Sequence, residues 1–561
     1  MRGIIEFQFL CFCILLLTQT SIQGQDLEAV DTIFHNWKGG PGGVACIVQD
    51  GKVIYRKAFG LANIKKAIPN SPELRYELAS NAKQFTGMCI ALLEEQHKLS
   101  LDDELKKYYP QLRIPHAIKI RNLLDHTSGL RDASVLAILS GKMNLKGEVR
   151  KKFNTKKYYL ECLMRETDLN YDVGSELAYN NFNYVLLGDV VEKVSGQSLQ
   201  AFSDSAIFKP LQMANTRWRD ERGLKIDREA NGYLYTGRKF KKRKALGGIV
   251  GDHNLVTTID DLARYEINFH NNRLGKGDAS LIQKITTSSK LNNGKVTQYG
   301  FGLWTNTYYD VEHVAHGGDD GRHTSGIVRF PEHKLSIIIL ANSSRFRDTE
   351  MKAYAIADIL LKDHLKKQNK VKENFNFIQL EQSQLSAKAG LYTMIDERGL
   401  GRLAKITYDN GELYASRNYY WKGLKLMALS PTDFVAYNPE GELVRVGFEN
   451  ENGIEYVTEI FREQPKLRYA RHSEVQTTTL EDYKGKYENA STGASIKVKV
   501  KGDKLSARKG ILKIPLIAFD EDIFYAPAND ALFIFQRDDN GRISSFKANA
   551  PDFRNFIFNK E

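Results

Sequence analysis

Cysteine is nearly missing from this chain: there are five in 561 residues, and two of them, Cys11 and Cys13, fall in an apolar leader. That leaves Cys46, Cys89 and Cys162, too few and too scattered for a disulfide framework, so the fold has to rest on apolar cores. Membrane-length apolar runs are lacking too. The run from Phe7 to Leu17 follows a lone Arg2 and gives way to Thr18-Gln19-Thr20. This pattern fits a secretory signal peptide over residues 1–25, because about a dozen apolar residues are too few to span a bilayer. No later segment is long enough, which predicts a mature chain without a membrane span. There is no His-Glu-x-x-His, no Cys-x-x-Cys and no Gly-x-x-x-x-Gly-Lys loop, so neither a metal nor a cofactor is expected. Nor is there a nucleic-acid reader motif, so no nucleic-acid partner is expected. For an exported chain, such sparing use of cysteine predicts a secreted location, in the periplasm or envelope of a bacterium.

Apolar residues make up 42% of the chain and charged residues 26%, the balance of a folded protein with a sizeable core. Its length exceeds what one core sustains and predicts several domains. The formal net charge is +12, with a dense block at Arg238-Lys239-Phe240-Lys241-Lys242-Arg243-Lys244. Such a block could steer the protein toward anionic envelope polymers, but it reads first as a solvated loop.

Asp50-Gly51 separates two β-rich runs, Val44 to Val48 and Val53 to Phe59, which predicts a hairpin. Phe85, Met88, Cys89 and Leu92 then recur at helical spacing, so a helix is expected from Ser80 to about Glu95. Helical patterns continue to about Gln200. Later come two strands, Gly326 to Phe330 and Leu335 to Ala341, joined by Pro331-Glu332-His333, and an amphipathic helix over roughly Arg347 to Leu365. Residues 367–386 read as a linker. Beyond it lies a repeat of about 95 residues. Gly390-Leu391-Tyr392 matches Gly485-Lys486-Tyr487, and Ile406 to Ala415 matches Val498 to Ala507. Leu424-Lys425-Leu426 through Phe434 likewise matches Leu512-Lys513-Ile514 through Phe524. Short strands at close spacing favour two small antiparallel β-barrels, over 387–470 and 476–561.

Three segments carry candidate chemistry. In Ser80-Asn81-Ala82-Lys83 the hydroxyl and the amine are three residues apart and share a helix face, where the amine can activate the hydroxyl. Read alone, Ser80 could equally be an N-cap. In Tyr179-Asn180-Asn181 a phenol beside a lysine can share its proton, and the asparagine can bond a substrate amide. The same residues could simply cap a helix. In His316-Gly317-Gly318 the glycines would let a substrate approach a strand edge, and the histidine could donate to substrate oxygen or relay a proton. A glycine-rich hairpin would look alike.

Taken in this order, with Leu123-Leu124-Asp125-His126-Thr127-Ser128-Gly129-Leu130 and Thr257-Thr258-Ile259-Asp260-Asp261-Leu262 between them, the motifs resemble those of the serine β-lactamase-related family. That family includes class C β-lactamases, DD-carboxypeptidases, esterases and D-aminopeptidases. The resemblance implies an α+β catalytic domain over 26–366, an antiparallel sheet flanked by helices plus a helical region with the site between them. The two lipocalin-like barrels behind it resemble those of D-aminopeptidases. By position, Ser80 would be acylated, Lys83 and Tyr179 would manage its proton, and Asn181, His316, Gly317 and Gly318 would bind substrate. The backbone N–H groups of Ser80 and Asp319 would form the oxyanion hole. His126-Thr127-Ser128-Gly129 resembles a structural turn of the family.

The family often has Lys-Thr-Gly where this chain has His316-Gly317-Gly318. A mostly neutral histidine there favours esters, D-amino-acid amides or short peptides, including cell-wall-derived ones, over β-lactams. D-aminopeptidase, DD-carboxypeptidase and β-lactamase activities remain alternatives. A penicillin-binding-like envelope binder with weak turnover is the non-enzyme alternative.

Overall fold

The computed structural model describes residues 27–142, 153, 155–365, 375–396, 399–417, 421–437, 443–461, 466–472, 479–509, 512–527, 530–551 and 553–561. The leader read over 1–25 lies outside them. The described residues fall into two compact units, 27–130, 153, 155–164 and 171–365 in one and 131–142, 165–170 and those from 375 onward in the other.

The first unit is built on a seven-stranded antiparallel sheet. Its strands are β1 (Gly43–Gln49), β2 (Lys52–Phe59), β3 (Tyr299–Gly300), β4 (Leu303–Tyr308), β5 (Val311–Asp319), β6 (Thr324–Phe330) and β7 (Leu335–Ala341), in spatial order β3-β4-β5-β6-β7-β1-β2. The expected hairpin forms, with Asp50 and Gly51 at φ +50° and +73° where a tight two-residue turn needs left-handed backbone. β1 pairs with β7 in register Gly43↔Ala341 to Gln49↔Leu335, so strands far apart in sequence meet inside the sheet, with β6 and β2 on their other sides. That position explains the unbroken apolar run in β7: every one of its residues is buried. On one face Ile337 and Ile339 pack with Ala353, Ile356 and Ala357 of helix α4 (Thr349–Leu360). Helix α3 (Ile259–His270) packs against β1 and β7. The helix expected from Arg347 to Leu365 is shorter at both ends, because Arg347 pairs with Asp319 and residues 361–364 form a turn.

Helix α1 (Lys83–Glu95) is preceded by a 3-10 turn, Ala79–Ala82, and packs on α2 (Asn181–Ser195). The Ser-x-x-Lys segment therefore spans a 3-10-to-α junction and does not open an α-helix directly, although the spacing of three still aligns its two side chains. A buried bidentate pair ties α1 to the sheet: Arg329 of β6 donates to both oxygens of Glu266 on α3 at 2.7 Å and to Gln84 Oε1 at 2.6 Å.

The second unit contains two closed antiparallel barrels of eight strands, running from Gly390–Ile395 to Leu467–Arg471 and from Gly485–Asn489 to Phe553–Lys560. First and last strands pair at Tyr392↔Arg471 and Tyr487↔Lys560, which closes each sheet and removes its open edges. The sequence repeat is a structural one. Ile406 faces Ala415 and Val498 faces Ala507 across equivalent hairpins. Tyr392 and Tyr487 are both fully buried, and each phenol donates to the carbonyl four residues upstream, of Lys388 at 2.9 Å and of Tyr483 at 2.8 Å. Apolar side chains fill both interiors, with a chain of aromatic contacts through Phe524, Phe535, Phe546 and Phe558 in the second. A short helix, Gln382–Ser386, lies within the segment read as linker.

Candidate functional site

The backbone turns sharply just before Ser80. Ala79 has φ +49°, a left-handed conformation costing a non-glycine residue about 1 kcal/mol. The surroundings hold it there: Leu78 N donates to Leu255 O at 2.9 Å, and Leu78 O accepts from Ser325 Oγ at 2.6 Å. Asn81, fully buried behind the turn, donates to Ser325 Oγ at 2.8 Å. Ser80 makes no capping bond to the turn or to α1, so the N-cap reading of this serine fails.

Lys83 is fully buried, and its amine has three acceptors: Ser80 Oγ at 3.2 Å, Asn181 Oδ1 at 2.8 Å and Asp252 O at 3.0 Å. The approach to Ser80 is the one the sequence spacing predicts, whereas Asn181, expected as a substrate binder, here also accepts from Lys83. Asp252 is not marked in the sequence, because it contributes only its backbone carbonyl and any residue type would serve. Its own carboxylate sits 2.7 Å from His253 Nδ1. Burial opposes charge on that ring, but Asp252 outweighs it and raises the His253 pKa above the ordinary value.

In Tyr179-Asn180-Asn181 the roles divide. Asn180 caps α2, accepting from Phe182 N at 2.9 Å, which leaves its neighbours for the site. The Tyr179 ring lies over Lys83 Nζ, 5.0 Å from ring centroid to nitrogen, and 39% of the residue stays exposed, enough for substrate to reach it. The His126 turn supports this segment from beneath: Asn180 N donates to His126 Nδ1 at 3.2 Å, and the His126 and Tyr179 rings are 4.5 Å apart.

His316, Gly317 and Gly318 form the end of β5. They pair with Ile327, Gly326 and Ser325 of β6, while β4 pairs with β5 only up to Ala315. Their other edge thus faces the cleft. A side chain at Gly318 would collide with Leu78 O and crowd Ser80 N, so only glycine lets the strand come this close to the nucleophile. His316 is buried, and both of its ring nitrogens are engaged. Nδ1 lies 2.5 Å from Gly317 O and must donate to it, so Nε2 accepts from Tyr299 OH at 3.2 Å. Burial, reinforced by the Lys83 charge, pushes the His316 pKa down to about 3. The ring lines the cleft as a neutral group already committed on both sides, and it holds no spare donor for substrate.

Ser80, Tyr179, His316, Gly317, Gly318 and Asp319 all border one cleft of about 470 Å³. Trp304, Ser325, Arg347, Thr349 and Glu350 complete its wall. No sequence motif marks these five, and only the fold brings β4 and the start of α4 to the nucleophile. Tyr299 is a further residue the sequence left unmarked; its ring lies between His126 and Trp304, with centroids at 4.7 and 4.6 Å.

Residues 30–361 match a family model described as Beta-lactamase, and residues 470–560 match one described as a domain of unknown function, DUF3471. Among curated proteins the chain is similar to Protein flp of Staphylococcus aureus (strain MW2), 30% identical over 328 residues, which cover 56% of this chain and 63% of that protein. The chain therefore spans less than two thirds of the length of flp. It is also similar to penicillin-binding protein 4* of Bacillus subtilis (strain 168), 28% identical over 339 residues, covering 57% of this chain and 72% of that protein. Among solved structures it is similar to the octameric penicillin-binding protein homologue from Pyrococcus abyssi, 25% identical with a TM-score of 0.55, covering 80% of this chain and 99% of that one. The first family model spans more than half of the chain, whose sheet, helices and motif order agree with that match; this protein belongs to the Beta-lactamase family.

Proposed function

We propose that this chain is an exported serine hydrolase of the bacterial envelope that cleaves esters, D-amino-acid amides or short peptides through an acyl-enzyme on Ser80. The observation that carries the reading is the 3.2 Å contact from Lys83 Nζ to Ser80 Oγ at the wall of an open cleft. In that contact the Lys83 ammonium donates, so the serine's own proton leaves to the Tyr179 oxygen, which acts as the base in its phenolate form beside Lys83 and later gives the proton to the leaving group. As the proton departs, Oγ attacks the substrate carbonyl carbon and the ammonium stabilises the growing negative charge. The carbonyl oxygen becomes an oxyanion facing the N–H groups of Ser80 and Asp319, an arrangement worth about 3 kcal/mol per donor in serine hydrolases. The C–O or C–N bond to the leaving group then breaks, and the leaving alcohol or amine takes up the proton. Water repeats the sequence on the Ser80 ester and frees the acid. Asn181, whose amide oxygen already accepts from Lys83, has its NH2 left to bind a substrate carbonyl.

Because His316 stands where a fixed ammonium would favour substrates with a carboxylate, the same reading places β-lactams below esters and amides. The test is a panel of p-nitrophenyl esters, D- and L-amino-acid anilides and a chromogenic cephalosporin. Turnover of an ester or anilide that disappears in Ser80→Ala supports the proposal; turnover that survives the substitution refutes it.

A further inference from the structure

Within the cleft, Glu350 has no evident structural employment. It is the second residue of α4, and its side chain lies against Gly317 so closely that a Cβ at that glycine would overlap Glu350 Oε2. Burial raises its pKa, and no charged neighbour contributes to that shift. The cations around it are committed elsewhere. Arg347, one turn away, pairs with Asp319 at 2.7 Å. Lys352 pairs with Asp348 at 3.0 Å and donates to Ile33 O at 3.3 Å. Tyr354, the next polar side chain along the helix, shares a 2.9 Å bond with His313 Nε2. Among the described residues, no ion pair to the Glu350 carboxylate is found.

A half-buried carboxylate without a partner is costly, and a cation that arrives with the substrate lowers that cost. Gly317 keeps the carboxylate open to the strand edge. His316 is neutral and supplies no competing charge, and the Asp319–Arg347 pair cancels itself. The strand side of the cleft therefore carries one carboxyl group without an ion-pair partner, and it lines the same cleft as Ser80.

We infer that Glu350 is a specificity-determining residue that selects substrates with a protonated amine close to the scissile bond and rejects those with a carboxylate there. This rests on the acyl-enzyme reading of Ser80 and narrows its substrate class. An amine held in that position would give the carboxylate its missing partner, while a substrate carboxylate would meet like charge across a poorly solvated gap.

The test uses the full chain and a matched trio of p-nitrophenyl esters: one with a free α-amino group, its N-acetyl counterpart, and one with a carboxylate in place of the amine. Each is assayed on the wild type, Glu350→Gln and Glu350→Asp. Labelling of Ser80 by an uncharged fluorophosphonate, measured in parallel, reports whether the site is folded and reactive. The wild type should prefer the amino ester to the acetylated one by about tenfold in kcat/KM, with the carboxylate ester slowest, and this is the scale of an ion pair worth one decade. Glu350→Gln should bring the ratio near one, and Glu350→Asp should restore part of it. If labelling persists but the ratio is the same in Glu350→Gln, or if the wild type prefers the carboxylate ester, the inference on Glu350 is overturned and the Ser80 reading stands. If the wild type is not labelled at all, the Ser80 reading fails and the inference falls with it.

Discussion

Two serines in this molecule look reactive in sequence, and they have opposite fates. Ser80 and Ser128 both follow a turn with a left-handed residue, Ala79 at φ +49° and His126 at φ +59°, and both have a histidine nearby. Backbone strain therefore does not separate them. Partners and access do. Ser128 is 1% exposed; its hydroxyl donates to Asn183 Oδ1 at 2.9 Å and accepts from Leu130 N at 3.2 Å, so both of its functions are consumed in holding α2 to the turn. Ser80 meets a lysine amine on one side and the cleft on the other. A hydroxyl becomes a nucleophile where its oxygen is activated and its front left open, and it becomes a brace where every bond is satisfied.

The contrast can be broken most forcefully at Ser80 itself. Ser80→Ala should lower turnover by at least about 10³-fold while stability changes by less than about 1 kcal/mol, because the Lys83 bond it removes lies at the open cleft, where water can replace it; steady-state kinetics and a thermal melt check both halves. Acid comes next, since several histidines are buried in the fold. Burial lowers the pKa of His126, His316 and His323, with His316 at about 3. Each ring is neutral in the fold but binds a proton near 6.5 once unfolded, so the unfolded state takes up more protons in between. Stability should be full above pH 6.5 and fall as pH drops toward 3; melting midpoints from pH 7.5 to 4.5 should follow that slope, and His316→Asn should flatten it. Smaller again is Ser128→Ala, which strands Asn183 Oδ1 and should cost about 1–3 kcal/mol by urea denaturation while turnover at Ser80 persists. Smallest is Ala79→Gly, which relieves strain but loosens the unfolded chain, for a net change below about 1 kcal/mol.

Much of this was legible in sequence because it depends on local pattern. The hairpin at Asp50-Gly51, the continuous β7 run, the spacing of Ser80 and Lys83, and the doubled Gly-x-Tyr of the barrels all follow from turn chemistry and side-chain period. The parts that stayed hidden are those made by tertiary approach. Asp252 acts through a carbonyl that carries no residue signature. Trp304, Arg347 and Glu350 reach the cleft only because β4 and the start of α4 converge there, with Tyr299 buried behind His316, and a motif search has nothing to find in them. His316 borders the cleft, but its engagement on both nitrogens depends on Tyr299, which the sequence does not single out. The 3-10 turn before α1 was likewise invisible, since spacing of three suits either helix.

The central claim, that Ser80 and not Ser128 is the nucleophile, is tested most directly by peptide mass spectrometry after reaction with a fluorophosphonate. The account predicts one covalent adduct on the peptide containing Ser80, absent in Ser80→Ala and retained in Ser128→Ala. An adduct on Ser128, or undiminished labelling of Ser80→Ala, would contradict it.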